Sequence, residues 1–269
     1  MTTLIPMGGA LDEVKKPDVL MEFINRAGGK RARIVILQQA SQRRDTGKEY
    51  VEMFKTFGAK EAITLEFRSR ARANLKENIQ AIRKATGIFF SGGTQMRIAA
   101  IIGGTQMESE LIKAYQNGCV VGGTSAGASI LSATMVAYGK GGASPRERIL
   151  QMSAGLGFTN KFIFDQHFRQ RDRLGRLIYA VASHPGIVGV GIDEDTAAVI
   201  ENDSKITVYG SSAVTIVDGK QMTGTDIAEV ENGGAVAVSN LVVHVLTKGS
   251  VYDGKTRRAS IPLRTLLVN

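Results

Sequence analysis

The sequence contains one cysteine, Cys119, no tryptophan, three histidines and five prolines in 269 residues. A single cysteine excludes an internal disulfide and a cysteine-rich metal site. Aromatic residues make up only 6% of the chain. None interleaves with the basic clusters as a base-stacking platform requires, which argues against nucleic-acid binding. No run of 18 apolar residues exists, so neither a transmembrane helix nor a membrane partner is expected. The N-terminal MTTLIPMGGALDE lacks the basic start and long apolar run of a signal peptide. These absences point to a soluble cytoplasmic protein. No dinucleotide fingerprint, phosphate loop or zinc spacing occurs, so no metal or organic cofactor is expected.

What is present is a globular composition, 43% hydrophobic and 22% charged, enough for a substantial core. The net charge of +9 suits an anionic partner or simply a solvated basic surface. The first half alternates apolar runs with amphipathic stretches. Ile34 to Leu37, Ala62 to Phe67, Gly87 to Phe90 and Cys119 to Val121 read as buried strands. Helical patterns fall over Gly47 to Phe57, Asn74 to Ala85 and Thr105 to Asn117. In the second, Leu75, Ile79 and Ile82 share a face. This alternation predicts an α/β fold with a mainly parallel sheet covered on both faces, and a site beyond the strands' carboxyl ends. The last third is different: short β-rich runs at Ala198 to Ile200, Ile206 to Tyr209, Ala213 to Val217 and Leu241 to Leu246 predict antiparallel C-terminal hairpins. No Pro/Ser-rich linker divides the chain, so residues 1–269 read as one domain. GGTQM occurs at Gly92 and again at Gly103, too short a period for a solenoid, and reads as coincidence.

Gly123-Thr124-Ser125-Ala126-Gly127 fits G-x-S-x-G between an apolar strand and a helical pattern running through Ala128, Ile130, Leu131, Ala133 and Val136. A tight strand-to-helix turn exposes the Ser125 hydroxyl, and glycines relieve crowding there. The Ala126 amide is then an oxyanion donor. The plainer alternative is an N-cap serine. A serine nucleophile needs a base. His244 lies in an apolar strand and His184 at a helix end before Pro185. His167 follows the run Phe162 to Gln166, at a strand's carboxyl end, and fits best. The orienting acid is one of Asp193, Glu194 and Asp195, which end the strand Ile187 to Ile192; spacing does not choose among them. The chain order Ser, His, acid differs from the Ser, acid, His order of α/β-hydrolases and disfavours that fold. Gly92 or Gly93, after the neighbouring strand, offers a second oxyanion donor, and Gln95 a substrate contact. Arg169, Arg173 and Arg176 share a face if their segment is helical, with Arg171 pointing away. Beside a serine site they suit a substrate bearing carboxylates; otherwise they form a solvated basic face.

These pieces resemble the cyanophycinases, serine-type peptidases related to aspartyl dipeptidases. The matching residues are Met7-Gly8-Gly9-Ala10, Ser91-Gly92-Gly93-Thr94-Gln95-Met96-Arg97-Ile98, Gly122 to Ala128, Asp165-Gln166-His167-Phe168 with the arginines after it, and Gly191 to Ala197. The resemblance implies a class I glutamine-amidotransferase-like three-layer α/β sandwich, usually a homodimer. It implies Ser125 as nucleophile, His167 as base and Glu194 as orienting acid. It also implies substrate contacts from Gln95, Asp165, Gln166, Arg171, Arg173 and Arg176. The family substrate is cyanophycin, a polyaspartate backbone with arginine on each β-carboxyl group, released as β-aspartyl-arginine. The chain departs from the commoner pattern at Ala10-Leu11-Asp12 and at Pro6, which is expected to interrupt the first strand. Two other readings are a clan dipeptidase acting on short peptides and a non-catalytic binding protein on the same fold.

Overall fold

The computed structural model describes residues 1–263. Its first half alternates strands and helices: β1 (Thr3–Met7), α1 (Asp18–Arg26), β2 (Arg33–Leu37), α2 (Thr46–Thr56), β3 (Glu61–Leu65), α3 (Arg70–Ala73), α4 (Lys76–Lys84), β4 (Gly87–Phe90), α5 (Gln95–Ile102), α6 (Gln106–Gln116) and β5 (Val120–Thr124). There follow α7 (Ala126–Ser129), β6 (Thr134–Gly139), β7 (Leu150–Ala154), β8 (Phe162–Gln166), α8 (Leu174–Ser183) and β9 (Val188–Ile192). The remainder is strands: β10 (Thr196–Glu201), β11 (Lys205–Gly210), β12 (Ala213–Asp218), β13 (Gly224–Thr225), β14 (Val238–Ser239), β15 (Val242–Thr247), β16 (Val251–Asp253) and β17 (Arg258–Ser260).

A nine-stranded sheet runs β17-β16-β11-β10-β1-β5-β4-β2-β3. From β1 to β3 every pairing is parallel; from β1 outward through β10 every pairing is antiparallel. Side chains alternate across the pleat. On β2, Ile34 and Ile36 pack with Phe23 of α1 and Phe54 of α2, whereas Val35 and Leu37 pack with Ile79 of α4, Ile98 of α5 and Leu111 of α6. Helices therefore cover both faces of the parallel half, as the uninterrupted apolar strands predict.

Four expectations are corrected. The strands leading to His167 and to the acids are not in the serine's sheet. They form a second sheet, β15-β12-β9-β8, in which only β8 and β9 are parallel. Its Phe162, Phe164, Val190 and Ile216 share a core with Ala198, Ile200 and Val208 of the large sheet. The helix after Ser125 is a single turn. Ala133 N donates to Thr159 O, and β6 begins at Thr134, so tertiary pairing overrides a period that also fits a helix. Pro6 does not break β1. It pairs in register with Gly123 of β5, while the ladder to β10 is registered at Thr3, Leu4 and Met7, away from the missing Pro6 N–H. Leu75 is exposed and precedes α4, leaving Ile79 and Ile82 as that helix's buried face. In the duplicated GGTQM, Thr94 and Thr105 stand at the N-cap positions of α5 and α6, but only Thr105 caps through its side chain, accepting from Glu108 N.

Candidate active site

Ser125 stands at the carboxyl end of β5 with φ 54° and ψ −116°, a strained turn conformation for a residue with a Cβ. The flanking glycines make this turn possible. A Cβ on Gly123 would lie 2.2 Å from Gly127 O, and one on Gly127 would lie 2.2 Å from Phe90 O. His167, just past β8, also has a positive φ, 46°. Its backbone N–H donates to Gly8 O at 2.7 Å. The imidazole bridges two side chains: Nε2 lies 3.0 Å from Ser125 Oγ, and Nδ1 lies 2.6 Å from Glu194 Oε1. With Glu194 ionised, Nδ1 carries the proton and Nε2 accepts from the serine hydroxyl.

The structure also sorts the three acids. Asp193 is buried and accepts from Arg169 N at 3.0 Å and Ser212 Oγ at 2.8 Å. Asp195 accepts from Asp12 N at 2.9 Å. Glu194 alone among the three reaches His167. His184 caps the end of α8 and His244 lies in β15, both away from this cluster, as read from the sequence.

Sequence reasoning assigned no role to the loop after β1, yet that loop assembles the site. Met7 O accepts from Ser125 N, Gly8 O from His167 N, and Gly9 O from Asp195 N. A Cβ on Gly9, whose φ is +99°, would stand 2.3 Å from the His167 ring, and one on Gly8 would stand 1.8 Å from Asp193 O. The signal was the Gly8-Gly9 pair directly after a strand, legible as a close backbone approach.

Gly92 lies against the serine: its built Cβ would be 3.4 Å from Ser125 Cβ and 4.0 Å from Oγ. Gly93 faces elsewhere, its built Cβ 2.3 Å from Ala40 O. Neither glycine amide has a hydrogen-bond acceptor among the described residues.

The six expected substrate contacts divide. Arg171 is exposed in a 3-10 turn, Arg169–Arg171. Gln95 is half-buried, and its Nε2 donates to Val136 O at 2.9 Å and Ala137 O at 2.8 Å. The other four are buried and bonded to one another. Asp165 is wholly buried and accepts from Arg176 Nε at 2.6 Å, Arg173 Nη1 at 3.2 Å and Gln166 N at 2.9 Å. Arg173 also donates to Gln166 Oε1 at 2.9 Å, and Gln166 Nε2 donates to Ser129 Oγ at 3.4 Å. Asp165, Gln166, Arg173 and Arg176 thus form an internal hydrogen-bonded cluster that ties β8, α8 and α7 together beside the His167 turn. The shared helical face of Arg169, Arg173 and Arg176 is corrected. A left-handed Asp172 separates the 3-10 turn from α8, which begins at Leu174.

The pattern of Peptidase family S51 matches residues 4–208. The chain belongs to peptidase family S51. Among the relatives of this S51 peptidase, a cyanophycinase of Geminocystis herdmanii is 38% identical over 259 residues, 96% of this chain and 95% of the relative. A cyanophycinase of Synechococcus elongatus is 37% identical over 257 residues, covering 95% and 80% of the two chains. A crystal structure of a peptidase from an acI-B1 actinobacterium superposes with a TM-score of 0.67 at 20% identity, over 94% of this chain and 97% of that one, a likeness of fold.

Burial lowers the pKa of His167 in this S51 peptidase, and the positive charges of Arg171 and Arg173 push the same way. Glu194 opposes both through its hydrogen bond and charge. The imidazole is thus held neutral to a pH below its ordinary value of about 6.5, the state in which Nε2 can accept a proton. Arg171→Ala removes one lowering charge from an exposed position. The acidic limb of kcat/KM is expected to move to higher pH, as read from a pH–rate profile; an unmoved limb contradicts this coupling. Burial also pulls the Arg173 guanidinium down to about 10, still charged at neutral pH. Asp165→Asn leaves two buried arginines without their carboxylate, a loss of about 3–5 kcal/mol. Urea unfolding should show it, and a loss below about 1 kcal/mol would mean the cluster is dispensable. Burial pushes the Cys119 thiol up to about 12, so it stays protonated at neutral pH.

Proposed function

We propose that this S51 peptidase is a cyanophycinase, a serine-type exopeptidase releasing β-aspartyl-arginine from cyanophycin through an acyl-enzyme. The observation that carries the reading is the hydrogen-bonded chain Ser125–His167–Glu194, at 3.0 and 2.6 Å, in a chain that aligns along nearly its whole length with relatives named cyanophycinase.

Ser125 Oγ attacks the backbone carbonyl carbon of the terminal unit while its proton passes to His167 Nε2. The carbonyl oxygen becomes an oxyanion, and the amides of Ala126 and of Gly92 or Gly93 receive it. Of the two glycines, Gly92 has the position beside Ser125 that suits the role. Glu194 stabilises the imidazolium through Nδ1–H. The imidazolium then protonates the leaving amine as the C–N bond breaks. A water molecule attacks the ester carbon, giving its proton to Nε2. The C–O bond to Ser125 breaks, the proton returns to Oγ, and the dipeptide leaves. Every proton is handled by the catalytic triad, and no metal or organic cofactor enters the scheme.

Substrate placement falls to Gln95, Asp165, Gln166, Arg171, Arg173 and Arg176, as the family resemblance implies, and the buried Asp165, Gln166, Arg173 and Arg176 also fix the His167 turn through their mutual hydrogen bonds. We further read the fold as a class I glutamine-amidotransferase-like three-layer sandwich in one domain over residues 1–269, working as a cytoplasmic homodimer. The family resemblance supports these readings, and the buried, unpaired Cys119 suits a reducing compartment. Among the described residues no helix is long and apolar enough to cross a membrane.

The test is covalent labelling. A fluorophosphonate should add one phosphonyl group, mapped by peptide mass spectrometry to Ser125, with cyanophycin hydrolysis lost in step. Label elsewhere, or hydrolysis surviving full labelling, would overturn the assignment.

A further inference from the structure

Two neighbouring cavities share Ser41 in their walls, and they differ in sign. One, of about 370 Å³, is lined by Gly92, Ser41, Glu13, Glu49 and Tyr50. The other, of about 320 Å³, shares Ser41 and carries Arg44, Arg68, Arg72 and Arg97. The first is linked to the serine through Gly92, which lines the cavity and whose built Cβ would stand 3.4 Å from Ser125 Cβ. Its walls are tied to the same centre. Asp12 N donates to Asp195 Oδ1 at 2.9 Å, and Asp12 then caps the turn that carries Glu13 by accepting from Val14 N and Lys15 N, both at 2.9 Å. Glu49 projects from the first turn of α2.

The second cavity sets four arginines against one carboxylate, Glu66, and the first sets two carboxylates against one arginine, Arg43, so a cationic side arm is favoured only in the first. We propose that the cavity bounded by Glu13, Glu49 and Tyr50 is the subsite for the arginine side arm of the unit being cleaved, its guanidinium bound by the two carboxylates. The assignment rests on the cyanophycinase reading above and adds the residues that read the side arm. A planar guanidinium suits paired carboxylates because its N–H groups form a fork. The cavity already holds that chemistry in miniature: the Arg43 guanidinium, itself part of the wall, is paired with Glu49. Both side chains are largely exposed, so the pair is weak and easily exchanged for an incoming guanidinium. Glu13 is left with no cationic partner among the described residues. Its pKa is raised by burial and by the negative charge of Glu49, and a bound cation relieves that repulsion.

The probes are β-aspartyl-arginine oligomers and oligomers with citrulline, the neutral isostere, in place of arginine. The parent enzyme should prefer arginine by about 100-fold in kcat/KM, the scale of charged hydrogen bonds. The double variant Glu13→Gln, Glu49→Gln should lose most of that preference, chiefly through KM. An unchanged thermal unfolding midpoint separates lost recognition from lost fold. Arg43→Ala, which removes the internal competitor, should lower KM for the arginine oligomer. A parent that cleaves both oligomers equally, or a double variant that keeps its full preference, overturns the subsite. A parent that cleaves neither oligomer overturns the cyanophycinase reading itself.

Discussion

Replacing Ser125 with alanine lowers kcat on cyanophycin by about 10⁶-fold, the scale seen when a serine peptidase loses its nucleophile. The substitution deletes only Oγ. Ser125 N still donates to Met7 O, and the strained turn is set by Gly123 and Gly127, which remain. The fold and KM should therefore change little, and the measured loss should sit in kcat. Residual rate comes from positioning and from the amides around the oxyanion. Single-turnover kinetics on a soluble oligomer separate these quantities. A variant within about tenfold of the parent would mean that a nucleophile other than Ser125 does the work.

Glu194→Gln is the second large effect, a fall in kcat of about 10⁴-fold, comparable to neutralising the acid of a Ser-His-Asp enzyme. In the proposed mechanism Glu194 accepts a hydrogen bond from Nδ1–H, fixes the tautomer that leaves Nε2 free, and offsets the imidazolium charge that develops during attack. The amide can hold the ring but supplies no charge. It can also turn its N–H₂ toward Nδ1, which forces the wrong tautomer. The sign of the pH effect follows from the same contact. Glu194 raises the His167 pKa against burial and the nearby arginines, so its removal lowers that pKa further. The acidic limb of the variant should thus move to lower pH while its plateau falls. A near-normal plateau would assign the orienting role to another acid. The corresponding changes at Asp193 and Asp195 should instead lower stability, because those carboxylates hold loop backbone.

Where the sequence spoke through local sterics, it could be read directly. Gly123 and Gly127 flank Ser125 because a Cβ at either would strike backbone, and that requirement is visible as G-x-S-x-G. The parallel half was legible from apolar strands spaced by amphipathic helices. His167 emerged because the other two histidines have evident places in a helix end and a strand. What stayed hidden depends on contacts between distant segments. β8 and β9 look like further members of one parallel sheet, and they do pair in parallel with each other. Nothing in their own residues reveals that they form a separate sheet packed against the first. Three successive acids end β9, and only the path of the loop determines that Glu194 turns toward His167. The residues 126–136 carry a period compatible with a helix, but the helix stops at Ser129, and pairing of Thr134–Gly139 with Leu150–Ala154 draws the end of the stretch into a hairpin. The arginines after His167 carry a substrate role by charge and by the family resemblance, and neither shows how they are held. Burial against Asp165 turns two of them inward, and an internal carboxylate that far upstream in a strand leaves no local signature.

The most direct test of the account is digestion of insoluble cyanophycin by the purified protein, with products followed by mass spectrometry from the earliest time points. The account predicts β-aspartyl-arginine as the first and dominant product, absent with Ser125→Ala. Polymer left intact after long incubation, or a spread of internal fragments preceding the dipeptide, would contradict it.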